Sequence, residues 1–299
     1  MDVASNSVLV CGLPGSGKTT YLAALWHLVQ SQEIETELAL QSLAFGEYEY
    51  VNEIRRRWQR GRKQVRTVGT APEVGLDLKS RDGRTGRLVF LDHSGETFDQ
   101  LWELRSCSQT VAEQLRNRRG IALFIRSEGI KTPVALSDML QTEREMREAA
   151  PELAVRAVQE VQTERDWSAA DAPDQVKVVD LLQVLAEELQ TVPQERLAII
   201  VSAWDRLAEY SSAKDFITRK LPLLSQYLQG GNHPFEYRYY GVSAQGCEYV
   251  EEDSRGDLPE DLAALLAIDE PSRRIRLVDG PETKSDLTLP VDWLIGQEL

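Results

Sequence analysis

The chain has 299 residues, 34 Lys plus Arg against 48 Asp plus Glu, and a net charge of −14. That acidic balance excludes general affinity for DNA, RNA or anionic membrane and leaves nucleotides and proteins as the expected partners. An apolar content of 42% over this length suffices for one large α/β domain with a packed core. Cys11, Cys107 and Cys247 lie far apart without C-x-x-C spacing and read as reduced core thiols. The amino terminus shows no basic n-region, and the apolar run from Val8 stops at Gly12, too short for a signal peptide or a membrane span. The sequence therefore reads as soluble and cytoplasmic.

The run Val8-Leu9-Val10-Cys11 reads as a strand and Thr20 to Val29 as a helix. Between them Gly12-Leu13-Pro14-Gly15-Ser16-Gly17-Lys18-Thr19 satisfies G-x-x-x-x-G-K-[ST] at every fixed position. Gly12, Gly15 and Gly17 tolerate the backbone angles needed to turn N–H groups inward around a phosphate, and the following helix adds its positive end. Lys18 is expected to reach the β- and γ-phosphate oxygens and the Thr19 hydroxyl to hold Mg2+. Ser16 and Thr20 complete the phosphate-binding set.

Further along, Tyr48, Val51, Ile54 and Trp58 recur at helical spacing within Glu47 to Gln64. The same segment holds Arg55, Arg56, Arg57, Arg60, Arg62, Lys63 and Arg66, either a solvated helix face or a docking surface for an acidic partner or phosphate. Val74 to Ser80 alternates, residues 81–86 are turn chemistry, and Arg87 to Leu91 is a buried strand ending in Asp92, so a β-hairpin is expected. An aspartate at that strand end can hold Mg2+ through a water. Glu103 to Arg119 reads as a helix and Ile121 to Ile125 as a core strand. Residues 128–195 form a large insertion with helical stretches over Val134 to Glu164 and Val176 to Leu189. Leu197 to Val201 is a strand leading into Ser202-Ala203-Trp204-Asp205. Ala213 to Leu228 is a helix pattern, and Phe235 to Tyr240 a last strand leading into Gly241-Val242-Ser243-Ala244-Gln245-Gly246. Beyond it the sequence offers a short hairpin around Arg273 to Val278 and Asp286 to Leu289, a closing Val291 to Ile295, and no chemistry.

Taken together these motifs resemble the Ras-like or translation-factor-like P-loop GTPases. Asp92 and Gly95 match D-x-x-G, Thr70 lies where that family has its switch I threonine, with Thr67 the other candidate, Asp205 is the surviving residue of N-K-x-D, and Ser243-Ala244 matches the S-A loop. The resemblance implies a three-layer α/β fold with a mostly parallel central sheet, a β-hairpin edge, a GTPase-like unit over residues 1–250 and a C-terminal extension over 251–299 packed on the same domain. It implies GTP or GDP as ligand, Mg2+ on Thr19, Thr70 and Asp92, base reading by Asp205, and a guanine contact from the backbone of Ser243 and Ala244. Lys18, Thr70, Gly95 and Glu96 would serve hydrolysis. A carboxylate at the base position accepts from guanine N1–H and the exocyclic amine but meets an acceptor on adenine, so Asp205 favours GTP over ATP. Ala203 stands where the family has a lysine along the base, which leaves Trp204 or another residue to cover the ring. The degenerate base motif, the helical insertion and the extended C-terminus are similar to the bacterial double-GTPases, encoded in pairs and associated with conflict or antiviral systems, so a protein partner is expected, a second GTPase being one candidate.

Glu96 sits where the family has a water-orienting glutamine or histidine, and a carboxylate beside a polyphosphate implies slow turnover; His93 is the alternative. Three functions follow: a regulatory GTPase, a non-hydrolysing nucleotide-gated scaffold, and an ATP-dependent small-molecule kinase.

Overall fold

The computed structural model describes residues 6–64, 72–90, 102–103, 113, 118–133, 140–141, 144–145, 168–187, 195–254 and 256–296. Thr67, Thr70, Asp92, His93, Gly95, Glu96 and Cys107 lie outside the described residues, as do nearly all of the expected helices over Glu103 to Arg119 and Val134 to Glu164.

Among the described residues nine strands form one sheet: β1 (Ser7–Gly12), β2 (Leu38–Phe45), β3 (Val74–Ser80), β4 (Thr85–Phe90), β5 (Arg118–Ile125), β6 (Glu195–Ser202), β7 (Phe235–Ser243), β8 (Arg276–Asp279) and β9 (Glu282–Lys284). Their spatial order is β2-β3-β4-β1-β5-β6-β7-β8-β9. The middle five, β4, β1, β5, β6 and β7, run parallel. The expected hairpin is β3–β4, antiparallel with Val74 opposite Phe90, and β2, β8 and β9 extend both sides antiparallel.

Parallel strands need helical crossovers, so both faces of the sheet are covered, and β1, β5 and β6 carry continuous apolar runs. One face of β1 carries Val8 and Val10, the other Leu9 and Cys11. The first packs against α1 (Lys18–Ser31), α2 (Tyr48–Gln59) and α7 (Leu289–Ile295), and the second against α3 (Asp174–Glu187), α4 (Ala213–Lys220) and α5 (Pro222–Gln229). Helix α1 is buried at every position from Tyr21 to Val29, as befits a helix wedged between a sheet and another helix. The remaining helix, α6 (Glu260–Leu266), closes over Gly61 after the last residue of α2.

Three local expectations are corrected. The single helix over Ala213 to Leu228 is two, because Pro222 forces Leu221 out of helical conformation (φ −131°) and opens α5 at its own first turn. In the C-terminal hairpin the second strand is Glu282–Lys284, reached through a turn with Gly280 at φ +57°, rather than Asp286 to Leu289. There the Asp286 carboxylate instead accepts from Thr288 N and Oγ1 and from Glu37 N, anchoring the approach to α7. Finally, Cys11 is buried but Cys247 is only half-buried, so it is not a core thiol.

Candidate functional site at the carboxyl ends of the parallel strands

In an open α/β sheet ligands bind beyond the carboxyl ends of the strands, where successive connections leave on opposite sides. Here that point is β1, flanked by β4 and β5. Gly12 ends the strand at φ +146°, and a Cβ there would lie 2.4 Å from Phe124 O on β5, so no larger residue fits. Gly15 (φ +70°) and Gly17 (φ +87°) hold the left-handed turns that curl the loop. Gly17 caps α1 without any side-chain acceptor and no acidic residue follows in the first turn, which leaves the amide end of the helix open to an anion. The Lys18 ammonium lies across the loop, donating to Gly12 O (2.8 Å) and Leu13 O (3.2 Å) with Ser16 Oγ at 3.4 Å. Ser16 is buried within the turn, and Thr19 opens α1 behind Lys18. The loop thus presents a glycine-lined cup, a positioned ammonium and a hard hydroxyl oxygen, a donor set that fits a polyphosphate with a magnesium ion. Beside it the Cys11 thiol is pushed up to about 12 by burial and stays neutral.

The second half of the site comes from β6 and β7. Asp205 lies in a 3₁₀ turn (Trp204–Arg206) after β6, and its Oδ1 accepts a short hydrogen bond from Ser243 Oγ at the end of β7. Ser243 Oγ in turn accepts from Gly246 N (3.1 Å), so one hydroxyl holds both the carboxylate and the turn of the next loop. Ala203 adopts φ +49°, a left-handed conformation that costs an alanine about 1 kcal/mol. Trp204 packs against β7, where a Cβ on Gly241 would come within 2.5 Å of the indole.

A cavity of about 210 Å³ joins the halves, lined by Gly15, Gly17 and Thr20 from the first loop and by Ser202, Ala203, Ala244 and Gln245 from the others. Of the sequence-predicted residues that the structure describes, Gly15, Gly17, Thr20 and Ala244 line the cavity, whereas Gly12, Ser16, Lys18, Thr19, Asp205 and Ser243 do not.

Three contacts that sequence reading missed hold the walls in place. Arg126 donates from both Nε (3.0 Å) and Nη2 to the carboxylate of Asp174 at the start of α3, and Lys131 N adds a third bond (3.2 Å), fixing the segment that brings Arg126, Ser127 and Glu128 to the cavity. Trp58, fully buried on α2, donates its indole N–H to Ala244 O (2.8 Å). Tyr21, which lines the cavity, donates to Leu287 O (2.6 Å) in the C-terminal segment. The periodicity of α2 signals that Trp58 is buried but not which carbonyl it meets. Nothing local links Arg126 to Asp174.

The basic run is largely matched within the chain. Arg56 and Arg57 pair with Glu53, Arg57 also with Glu252, Lys63 with Glu248 and Glu251, while Arg55 Nη1 donates to Gln30 and Arg62 Nη1 to Glu251 O. Glu248 also meets Arg206, which pairs with Glu128 on the cavity wall. Most of these pairs are exposed, so each contributes little, but together they answer the positive patch with acidic residues of the chain itself.

A mostly parallel sheet with a glycine phosphate loop at its switch point and an aspartate loop two strands away defines the P-loop GTPase class. The sequence matches the family Double-GTPase 1 over residues 9–294, and the chain belongs to that family. Family membership supports guanine-nucleotide binding. No curated protein matches the sequence. Among solved structures the chain is similar to a signal recognition particle receptor SRb-GTP/SRX complex from Chaetomium thermophilum (14% identity, 85% of this chain and 93% of that one, TM-score 0.35). It is also similar to the S. cerevisiae Ski7 GTPase-like domain bound to GTP (11%, 89% and 49%, TM-score 0.38) and to sup35 complexed with GDP (13%, 89% and 45%, TM-score 0.31).

Proposed function

We propose that this protein is a guanine-nucleotide switch that binds GTP with Mg2+, hydrolyses it slowly to GDP and changes its affinity for a protein partner as it does so. The observation that carries the reading is the shared cavity: residues near position 15 and residues near 203 and 244, remote in sequence, line one space. In this reading Gly12, Gly15, Ser16, Gly17, Lys18 and Thr20 receive the phosphates, Asp205 selects guanine, and the Ser243–Ala244 loop meets its carbonyl edge. Magnesium, held by Thr19 with Thr70 and Asp92, would supply charge neutralisation between the β- and γ-phosphates. Lys18 offers its ammonium to the same oxygens. Gly95 is the backbone contact to the γ-phosphate. Glu96 is an acceptor-only group beside a polyanion, so turnover is expected at or below the order of 10⁻³ s⁻¹ without a partner.

A turnover assay with GTP and with ATP, each alone and with a co-purifying protein, tests this. Slow GTP hydrolysis that rises with the partner supports the switch. Tight GTP binding with no hydrolysis in either condition would select the scaffold, which Glu96 and Ala203 permit. A preference for ATP would remove the role given to Asp205.

A further inference from the structure

Strand β7 is covered on its outer side only near its end: β8 pairs with Gly241, Val242 and Ser243, and among the described residues no strand pairs with the outer edge of Phe235 to Tyr240. Exposed edges are templates for further pairing, and proteins usually guard them. The other edges of this sheet are guarded. Strand β2 slips register twice against β3 and exposes Ala39, Gln41 and Ser42, and β9 is three exposed residues, Glu282, Thr283 and Lys284. The β7 edge, by contrast, reads Phe-Glu-Tyr-Arg-Tyr-Tyr with no proline, glycine or lysine.

Its sequence is self-complementary. Two copies paired antiparallel about a two-fold axis through Tyr237 would set Glu236 opposite Arg238 twice, Phe235 opposite Tyr239 twice, and Tyr237 opposite itself. Opposite charges and aromatic pairs in directly facing positions are the favourable cross-strand combinations. Moving the register by two residues in either direction sets Glu236 against Glu236 or Arg238 against Arg238, so charge selects one alignment. In that alignment Pro234 falls opposite Tyr240, and a proline without an N–H ends the ladder at the point where β8 begins to occupy the edge. The side chains are ready for such a partner. Arg238 is exposed over the Trp293 ring (4.9 Å), Glu236 is held toward the same face by Arg196 (3.3 Å), and on the other face Tyr237 and Tyr239 stand edge to face at 5.6 Å, both half-buried.

We infer that β7 is a homodimerisation edge through which a second copy of this chain extends the sheet across a two-fold axis. Two copies related by such an axis form an isologous, closed interface, so the association stops at the dimer. Light scattering and sedimentation of the full chain over a concentration series test this without nucleotide. The wild type is expected to be dimeric. Glu236→Arg and Arg238→Glu each place like charges opposite one another at two symmetric positions and are expected to weaken the dimer by roughly ten-fold or more. An equimolar mixture of the two single variants restores both opposite-charge pairs and is expected to form the heterodimer, and the double variant E236R/R238E to form the homodimer again. Melting curves establish that each variant is folded, and Arg238→Glu, at an exposed position, carries the test if Glu236→Arg disturbs Arg196. A monomeric wild type, a dimer that neither variant weakens, or single variants that fail to complement each other would overturn the proposal.

Discussion

The phosphate loop and the base loop meet at one cavity but are built in opposite ways. Most of what shapes Gly12 to Thr19 lies within eight residues or in the two elements that flank them: positive-φ glycines, a lysine folded back on Gly12 and Leu13 carbonyls, and a helix whose open end follows at once, with Phe124 O pressing on Gly12 from β5. The base side is assembled from afar. Asp205 depends on Ser243, Ala244 on Trp58, and the wall at Arg126 on Asp174. A locally built site fails when one of its own residues changes, whereas an assembled one can be weakened by degrees from outside.

That contrast orders the expected effects. Lys18→Ala removes the charged donor and should weaken GTP binding roughly 100-fold or more, measured by calorimetry with Mg2+ present. Binding within a few-fold of wild type would mean that the loop is not the phosphate site. Gly12→Val meets both a forbidden φ and the Phe124 carbonyl and should cost about 3 kcal/mol of stability in denaturant unfolding. Asp205→Ala should leave triphosphate affinity reduced and GTP-over-ATP preference lost, by a factor on the order of 10–100, in competition binding. Smaller still, Trp58→Phe keeps the core ring but drops one hydrogen bond to Ala244, a change of about 1 kcal/mol. If the base loop is held from outside, that loss should appear as a roughly five-fold weaker guanine nucleotide with little change toward inorganic triphosphate. Equal effects on both would show that Trp58 serves only the core.

The smallest effect concerns pH. His27 is buried on α1 against Trp58, with Glu33 on Nε2 and Gln59 on Nδ1, and burial depresses its pKa below the usual value while Glu33 partly opposes this. Because the folded histidine resists a proton that the unfolded chain accepts, its contribution is complete above the ordinary histidine value near 6.5 and is lost as pH falls below it. Glu195 acts in the opposite sense. Buried beside Arg118, it is raised to about 7 chiefly by desolvation, so it favours the folded state progressively as pH drops from 7 toward 4.5. Stability profiles of wild type and His27→Gln should therefore diverge below pH 6.5, with a slope difference of at most about 1.4 kcal/mol per pH unit. Parallel profiles would show that His27 takes up its proton equally in the folded and unfolded states.

Much of the molecule was legible in the sequence because its signals are local. The apolar runs gave β1, β4, β5 and β6, the glycine spacing gave the phosphate loop, and the 81–86 turn gave the β3–β4 hairpin. The break at Leu221–Pro222 was also local, yet apolar periodicity runs unbroken through it. The placement of β9 was harder, since three exposed residues carry no hydropathy pattern.

The sequence by itself determined the glycine turn, the ammonium and the carboxylate on which the proposed nucleotide site rests, since each acts through its own chemistry. Only the tertiary structure decided that Trp204 packs on Gly241, that Trp58 and Asp174 brace the cavity, that the arginine run meets the chain's own acids, and that among the described residues β7 keeps an uncovered edge. These depend on which segments the sheet brings side by side. Strand order is set by the packing of helices on both faces rather than by any single stretch of residues.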